Sequence, residues 1–251
     1  TLLVTQRSGS INRVVINENN VETLLVFSEI DSQEEEGLMG MVKDPNFEEN
    51  GYIYVCLAIP NDGSFMNQVE RLVYKDNQLS RDKVLINNIP SAKYHAGCRL
   101  GVSPEKKLFI TTGDATNKNL AQDLDSLAGK ILRYSLDGSI PDDNPFPNSP
   151  VYSYGHRNPQ GIAWHPQTGD MFSTEHGPSV IDGPAGGDEI NKIIAGANYG
   201  WPVVSHNNSA EGMNDPMFVF TPAEAPASAI FYSGKMFPEI TNSFLIWRPQ
   251  R

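Results

Sequence analysis

One short strand recurs along the chain, and this recurrence constrains the fold more than any other feature of the sequence. Five segments share a run of apolar and β-branched residues, and they lie at residues 1–9, 51–59, 107–114, 170–177 and 242–247. Three of them are preceded by a shorter apolar strand that ends at a proline turn, at residues 41–45, 100–104 and 162–166. The sequence therefore predicts a β-hairpin that repeats about every 50 to 70 residues.

A repeated antiparallel unit of this size is typical of a β-propeller, whose four-stranded blades surround a central channel. No long segment has a helical period, and residues 119–127 are predicted to form a loop rather than a helical turn. A β-sandwich is the structural alternative, but it would not explain the repeated hairpin. We therefore predict an all-β fold, with residues 1–251 forming a single β-propeller domain.

The repeats account for about four blades and part of a fifth. The first repeated strand starts at residue 1, and the last one ends shortly before residue 251. An open stack of blades would leave sheet edges unpaired, which is costly. We therefore expect a longer protein, of which this chain is a part truncated at both ends.

The composition excludes some classes of function. The formal net charge of −11 argues against a nucleic-acid-binding protein, which needs a basic face. No stretch approaches the roughly 20 apolar residues that cross a bilayer. The acidic runs at 34–36 and 142–143 are typical of a solvated surface rather than of a metal site.

The chain has two cysteines, Cys56 and Cys98, each in or beside an apolar segment. Two cysteines do not make a disulfide framework, so buried free thiols are the favoured interpretation. A single bridge between them is the alternative in an oxidising compartment.

Polar side chains are concentrated between glycines and prolines in five segments, at residues 35–40, 93–97, 155–158, 175–178 and 187–189. Loops held on a rigid scaffold often carry binding residues, and in a propeller they meet at one mouth of the channel. Together these loops supply a candidate base, an Arg–Asn pair for an anionic ligand, and carbonyl groups beside carboxylates. No zinc-type spacing or glycine-rich phosphate loop is present.

These segments, in this order, resemble the soluble PQQ-dependent glucose and aldose sugar dehydrogenases, a family of six-bladed quinoprotein propellers. The matching motifs are Glu-Glu-Gly-Leu-Met-Gly at 35–40, Ser-Ala-Lys-Tyr-His-Ala-Gly-Cys-Arg-Leu at 91–100, Asp-Gly-Ser-Ile-Pro-Asp-Asp-Asn-Pro at 137–145, Gly-His-Arg-Asn-Pro-Gln-Gly at 155–161, Asn-Tyr-Gly-Trp-Pro at 198–202 and Pro-Ala-Ser-Ala at 226–229. The resemblance spans nearly the whole chain, and several motifs in a fixed order are more specific than any one of them.

The resemblance implies a role for individual residues. His95 and Arg157 take the places of catalytic residues. Cofactor contacts are implied for Glu35, Arg157, Asn158, His176 and Arg248. Arg248, or alternatively Arg251, stands near the position where the family has a lysine that binds the carboxylates of PQQ. The carbonyl groups of Gly177 and Pro178 fall where the family holds its catalytic Ca²⁺.

The implied reaction is oxidation of an aldose at C1 to the lactone. His95 would accept the proton of the anomeric hydroxyl, and a hydride would pass to PQQ, whose reactive carbonyl Ca²⁺ polarises. The resemblance also implies an external electron acceptor, either a dye or a small redox protein, and a periplasmic or secreted location. Tyr94 stands where glucose dehydrogenases of the family carry Asp, which leaves the sugar preference open.

Several residues have more than one interpretation. His156 and His176 could contact a ligand or pack behind the site, whereas His165 is predicted to be structural. Asp188 and Glu189 could bind a metal, although anchoring of their loop is favoured. The tryptophans at 164, 201 and 247 are predicted to lie in the core.

Two other functions remain as alternatives at this stage. One is a non-catalytic extracellular propeller that binds a protein partner. The other is a metal-dependent sugar lactonase, which would need several acidic and amide side chains around a central metal.

Overall fold

The computed structural model of the protein describes residues 1–18 and 20–248. Strands dominate it. Helical structure in these ranges is limited to one α-helical turn, Phe47–Asn50, and three 3-10 turns, Ile16–Glu18, Lys118–Ala121 and Pro238–Ile240. None of the described helices is long and apolar enough to cross a membrane. The predicted all-β class is confirmed.

Seventeen strands form five separate antiparallel sheets in the described ranges. The first sheet contains β1 (Leu2–Gln6), β2 (Ser10–Val15) and β3 (Asn20–Val26). The second contains β4 (Leu38–Lys43), β5 (Tyr52–Asn61), β6 (Ser64–Lys75) and β7 (Gln78–Ser91). The third contains β8 (Leu100–Val102), β9 (Lys107–Thr112), β10 (Lys130–Ser135) and β11 (Val151–Tyr154). The fourth contains β12 (Pro159–Trp164), β13 (Met171–Glu175), β14 (Asp188–Ile193) and β15 (Phe218–Phe220), and the fifth pairs β16 (Ala229–Phe231) with β17 (Phe244–Ile246).

The predicted hairpins are present. β4 pairs with β5, β8 with β9 and β12 with β13, each antiparallel and in the order that the repeated sequence pattern indicates. The fifth copy also has a preceding strand, β16, which pairs with β17. Its sequence lacks the proline turn of the other three, which is why the pattern did not reveal it.

The sheets are arranged as propeller blades. Each four-stranded sheet is a meander in which neighbours in the chain are neighbours in the sheet. The first strands of successive sheets lie side by side, β4 next to β8, β8 next to β12 and β12 next to β16. This places the first strand of each blade, and the loop that precedes it, around a common centre.

Apolar residues fill the spaces between neighbouring blades. One buried cluster joins the first and second sheets through residues such as Ile11 and Val55. A second joins the second and third sheets through Tyr54 and Leu108. A third includes Phe109 of the third sheet and Met171 of the fourth. The blades are therefore fixed relative to one another by face-to-face packing, which makes a rigid scaffold for the loops.

The interpretation of the cysteines as free thiols was wrong. Cys56 of β5 and Cys98 form a disulfide bond, with Cα atoms 6.0 Å apart, and both residues are fully buried. The apolar context correctly indicated burial. It could not show that the middle of β5 faces the segment before β8, because that contact depends on how two blades pack.

The interpretation of residues 34–36 as a solvated run was also wrong for Glu36. This side chain is fully buried, and its two oxygens accept hydrogen bonds from the backbone N–H groups of Gln33, at 2.7 Å, and Glu34, at 3.0 Å. A carboxylate that satisfies two such donors stabilises a tight turn. Asp142 and Asp143 are exposed, as predicted.

Candidate active site

One cavity of about 450 Å³ contains most of the predicted site residues. Its walls include Glu35, His95, Arg157, Asn158, His176, Gly177 and Pro178. These residues belong to loops that precede β4, β8 and β12 or follow β13, so three blades contribute to it. The predicted convergence of the polar loops is therefore observed.

His95 is paired with a buried aspartate at the wall of this cavity. Its Nδ1 lies 2.7 Å from Oδ1 of Asp114, which is 1% exposed. The other oxygen of Asp114 accepts a hydrogen bond from the indole Nε1 of Trp201 at 2.8 Å. With Nδ1 held by a carboxylate, Nε2 is the imidazole nitrogen that remains for a substrate.

The backbone of His95 is also fixed. It has a φ of +55°, in the left-handed region that few non-glycine residues adopt, and its N–H donates to Oε2 of Glu35 at 2.9 Å. Its carbonyl oxygen lies so close to Gly113 that a Cβ there would be 1.8 Å away. Glycine is therefore required at 113 for His95 to keep this position.

The loop that carries Asp114 is organised around a buried lysine. The ammonium group of Lys130 donates to the carbonyl oxygens of Leu120 at 2.7 Å, Ala121 at 3.1 Å and Ala128 at 2.7 Å. Burial lowers the pKa of Lys130 to about 7. These bonds join the carbonyl groups of three loop residues to a side chain of β10, so they hold the loop against the third blade.

Asn158 and Glu35 connect the loops of different blades. Asn158 is fully buried, and its Oδ1 accepts hydrogen bonds from the N–H of Gly97 at 3.1 Å and from Gln160 at 2.9 Å. Its Nδ2 donates to Oε2 of Glu35 at 3.2 Å. Both residues thus support the segment around His95, in addition to lining the cavity.

Arg157 is almost completely buried, and its guanidinium group is held at two points. Nε donates to Oδ2 of Asp182 at 2.8 Å, and Nη1 donates to the carbonyl oxygen of His176 at 3.3 Å. The group lies over the ring of Trp201, 5.6 Å from its centroid. Although burial alone would raise it, the pKa of Asp182 is lowered by hydrogen bonds from Arg157 and Ser179. The pair is therefore ionic at neutral pH.

Asp188 anchors the main chain at residues 176–178 by a hydrogen bond. Oδ1 of Asp188 accepts the N–H of Gly177 at 2.8 Å, and Oδ2 accepts the N–H groups of Glu224 and Ala225, both at 2.7 Å. The favoured interpretation of Asp188 as an anchor is therefore confirmed. A Cβ on Gly177 would lie 2.2 Å from the carbonyl oxygen of Gly187, so no side chain fits there.

His176 has an unpaired nitrogen. Its Nε2 is buried and has no hydrogen-bond partner among the described residues. Burial lowers the pKa of His176 below 6.5, so the ring is neutral at pH 7. An unsatisfied buried nitrogen at a cavity wall is a natural contact for a ligand.

His156 has a different environment, because both of its ring nitrogens are occupied. Nδ1 lies 2.8 Å from Oε2 of Glu175 and Nε2 lies 2.9 Å from Oγ of Ser153, and the ring stacks on Tyr199. The histidine is fully buried, so of its two interpretations the packing role is the one observed. His165 accepts backbone N–H groups in a turn, as its structural assignment predicts.

Glu175 and Glu189 form a carboxyl pair behind Arg157. Glu175 also accepts a short hydrogen bond from the backbone N–H of Arg157. Burial, and then the charge of Glu175, raise the pKa of Glu189 to about 8. Glu189 is therefore protonated at neutral pH.

Arg248 is not brought into the cavity. It pairs with Glu224 and lines a separate cavity of about 520 Å³ near β17. Its implied role in holding PQQ thus finds no support in this placement. Arg251, the alternative, lies outside the described residues.

Three functional candidates were missed or misassigned from the sequence. Asp114 ends the repeated segment 107–114, so the rule that equivalent strand ends converge would have found it if applied to that copy. Trp201 was predicted as core; it is buried, but it also bonds Asp114. Asp182 lies in a loop without any recognisable motif.

The sequence profile of the Glucose / Sorbosone dehydrogenase family matches residues 1–247. The chain belongs to this family. The resemblance drawn from the loop motifs is therefore confirmed.

Individual members of the family are similar along most of the chain. Quinoprotein glucose dehydrogenase B of Acinetobacter calcoaceticus is 35% identical over 235 residues, which cover 81% of this chain and 48% of that protein. An aldose sugar dehydrogenase of Escherichia coli is 30% identical over 268 residues, which cover 98% of this chain and 71% of that protein. The chain thus spans about half of the first relative.

A solved structure supports the fold. The PQQ-bound form of aldose sugar dehydrogenase from Streptomyces coelicolor superposes with a TM-score of 0.84 at 33% identity, over 92% of this chain and 68% of that one. Together with the meander sheets, this likeness confirms the propeller prediction.

Proposed function

We propose that this chain carries the active site of a PQQ- and calcium-dependent dehydrogenase that oxidises an aldose at C1 to the lactone. The observation that carries the proposal is the His95–Asp114 pair at a cavity that also contains Arg157 and the main chain of Gly177 and Pro178. A binding module has no need of a histidine that a buried carboxylate holds at the wall of a cavity.

His95 would act as the general base. Its Nε2 would accept the proton of the anomeric hydroxyl, and the nearby carboxylate of Asp114 would stabilise the resulting imidazolium. Because Asp114 is held by three donors, His95, Trp201 and the N–H of Thr116, it keeps the imidazole in one orientation. Bound PQQ would supply the oxidant that takes the hydride from C1, with Ca²⁺ polarising the quinone carbonyl.

The cavity fits a flat, polar anion such as PQQ in two respects. Its volume of about 450 Å³ lies in the range of cofactor pockets. The buried Nε2 of His176 has no partner among the described residues, and the guanidinium group of Arg157 has N–H donors that Asp182 and His176 do not use, so both can bind polar groups of a ligand. We assign Arg157, Asn158, His176 and Glu35 to this part of the site.

Calcium would be held by carbonyl oxygens. Asp188 fixes the peptide of Gly177, and the carbonyl oxygen of Pro178 accepts only one hydrogen bond, from the N–H of Gly186 at 3.2 Å, within the described chain. Carbonyl groups are ordinary ligands of this hard cation. No group of three or more His, Cys, Asp or Glu is placed to hold a metal among the described residues, so the proposal depends on these carbonyl groups.

The electrons would leave through an external acceptor, a dye or a small redox protein. A periplasmic or secreted location is supported by the Cys56–Cys98 disulfide, since such bonds persist in oxidising compartments.

Reconstitution tests the proposal. The protein is incubated with Ca²⁺ and PQQ, and aldose-dependent dye reduction is followed together with the quinone absorbance. We expect turnover that is lost in His95→Ala while PQQ stays bound. If the protein bound no PQQ in the presence of Ca²⁺, the dehydrogenase assignment would be wrong.

A further inference from the structure

The loop between Pro178 and Gly187 is attached to the cavity mainly by one ion pair. Its tip is among the most exposed apolar parts of the described chain, with Val180 84% and Ile181 93% exposed. Val180 and Ala185 reach the cavity wall. The tip therefore has little packing of its own, and the polar contacts of Asp182 determine where the loop lies.

Asp182 uses both of its oxygens. Oδ1 accepts the N–H of Ser179 at 2.8 Å and its hydroxyl at 3.1 Å, which closes the loop on itself. Oδ2 accepts Nε of Arg157 at 2.8 Å. The carboxylate thus fixes the loop with one oxygen and the guanidinium group with the other.

The two hydrogen bonds of the guanidinium group leave three of its five N–H donors without a protein partner in the described chain. Arg157 has other acidic groups within reach, because it also lines a small cavity with Glu175 and Glu189. A guanidinium group released from Asp182 could turn toward that carboxyl pair and away from the ligand cavity. Asp182 belongs to the loop whose residues Ser179, Val180 and Ala185 line the ligand cavity, so its bond to Nε opposes this rearrangement.

We propose that Asp182 is a positioning residue: it holds the guanidinium group of Arg157 toward the ligand cavity and, through the same carboxylate, pins the loop 179–186 as a wall of that cavity. The inference rests on the proposed function, because the ligand that Arg157 meets there is taken to be PQQ. It adds a determinant of cofactor affinity that lies outside the motifs of the sequence.

A different role for the Arg157–Asp182 ion pair predicts the opposite effect on ligand affinity. If Asp182 only neutralised Arg157, its removal would strengthen the binding of an anion. If it positions Arg157, removal would weaken binding, because a long charged side chain must then be ordered when the ligand arrives.

The test uses Asp182→Ala, Asp182→Glu and a control, Asp82→Ala. The control removes an ion pair that also joins an arginine Nε to an aspartate Oδ2. It is the pair of Arg71 and Asp82, 2.7 Å apart, between two strands of the second blade. PQQ affinity is measured in the presence of Ca²⁺ by titration of the apo-protein, without turnover. Hydrogen exchange is measured for the backbone N–H groups of residues 179–186.

We expect Asp182→Ala to raise the Kd for PQQ by about tenfold or more, the loss of a charge-assisted hydrogen bond. Exchange in the loop should be faster, while Tm stays close to that of the control. Asp182→Glu keeps both acceptor oxygens and the charge, so it should recover most of the affinity. If Asp182→Ala does not fold, Asp182→Asn replaces it, since one amide oxygen cannot serve both Arg157 and Ser179.

Equal or tighter PQQ binding by Asp182→Ala would overturn the inference. Failure of the unsubstituted protein to bind PQQ would refute the proposed function instead. In that case the exchange data decide the positioning role, which unchanged exchange in Asp182→Ala would contradict.

Discussion

Replacing Asp114 by Asn is the sharpest test of the His95 base. The substitution keeps the size of the side chain but removes its charge. Oδ1 of Asp114 faces His95 and the N–H of Thr116, whereas Oδ2 faces the indole N–H of Trp201. An amide has only one acceptor oxygen, so it must present its NH₂ to one of these donors.

The expected loss follows from the charge that develops on His95. An imidazolium and a carboxylate about 4 Å apart attract each other by about 4 kcal/mol at an effective dielectric constant of about 20. Asp114 is 1% exposed, so solvent screens this attraction little. Because about 1.4 kcal/mol corresponds to a factor of ten, kcat should fall about 10³-fold in Asp114→Asn.

Asp44 provides a matched control for the loss of stability. It is also buried, at 3% exposure. As in Asp114, Oδ1 accepts the backbone N–H of the residue two positions later, here Asn46, and Oδ2 accepts a hydrogen bond from an aromatic side chain, here the hydroxyl of Tyr54. It lies at the opposite end of β4 from Glu35. Asp44→Asn should therefore cost similar stability but leave kcat unchanged.

The assay is aldose-dependent dye reduction at saturating sugar, with PQQ and Ca²⁺ bound, alongside urea unfolding of both variants. A fall in kcat of less than about tenfold in Asp114→Asn would show that the carboxylate does not support the base. An equal fall in Asp44→Asn would show that the effect is general loosening.

Three further predictions concern the surroundings of the site. The pKa of Glu189 is raised from 4.5 to about 8, so the folded protein holds a proton that the unfolded chain has lost between these values. The free energy of unfolding should therefore fall as pH rises from about 5 to 8. In Glu189→Gln, urea unfolding should show no such dependence on pH, and an unchanged dependence would contradict the raised pKa of Glu189. Replacing Cys56 and Cys98 by Ser opens a link across 42 residues, which should lower the free energy of unfolding by about 4 kcal/mol, and a loss below about 1 kcal/mol would refute it. Gly177→Ala would place Cβ 2.2 Å from the backbone carbonyl oxygen of Gly187, so the two loops must move apart. Tm should fall, and calcium-dependent PQQ binding should be lost in a titration at a temperature where the variant is still folded; binding as tight as that of the unsubstituted protein would contradict the role of this main chain.

The fold could be predicted because each blade repeats a local signal. A run of β-branched and apolar residues with a proline turn before it specifies a hairpin without help from distant parts of the chain. Strands β4, β8 and β12 were located in this way. Strand β16 lacks the turn, so it became visible only through its pairing with β17.

The loops that meet at the cavity could be predicted because they carry polar residues between glycines and prolines, as with His95 and Arg157. The partners of these two residues were missed, because Asp114 and Asp182 lie in other loops of the same blades and reach His95 and Arg157 through the pairing of β8 with β9 and of β12 with β13. Asp114 is 19 residues from His95 in the chain, and Asp182 is 25 residues from Arg157. The cysteines were misassigned for the same reason, since burial is a local property and pairing is not.

A common device explains how an acidic chain can build this site. The backbone N–H groups of His95, Arg157 and Gly177 are each held by a carboxylate from a neighbouring segment, namely Glu35, Glu175 and Asp188. Because these carboxylates accept hydrogen bonds from the main chain, they fix the loops without using the Nε2 of His95 or all the N–H donors of Arg157. Among the described residues, however, the wall of the cavity has two carboxyl side chains, Glu35 and Asp188, and one guanidinium group, that of Arg157. Such a wall attracts a divalent cation more strongly than an anion. A calcium ion beside Gly177 and Pro178 would reverse that balance, which gives a physical reason for a polyanionic cofactor to depend on calcium in this site.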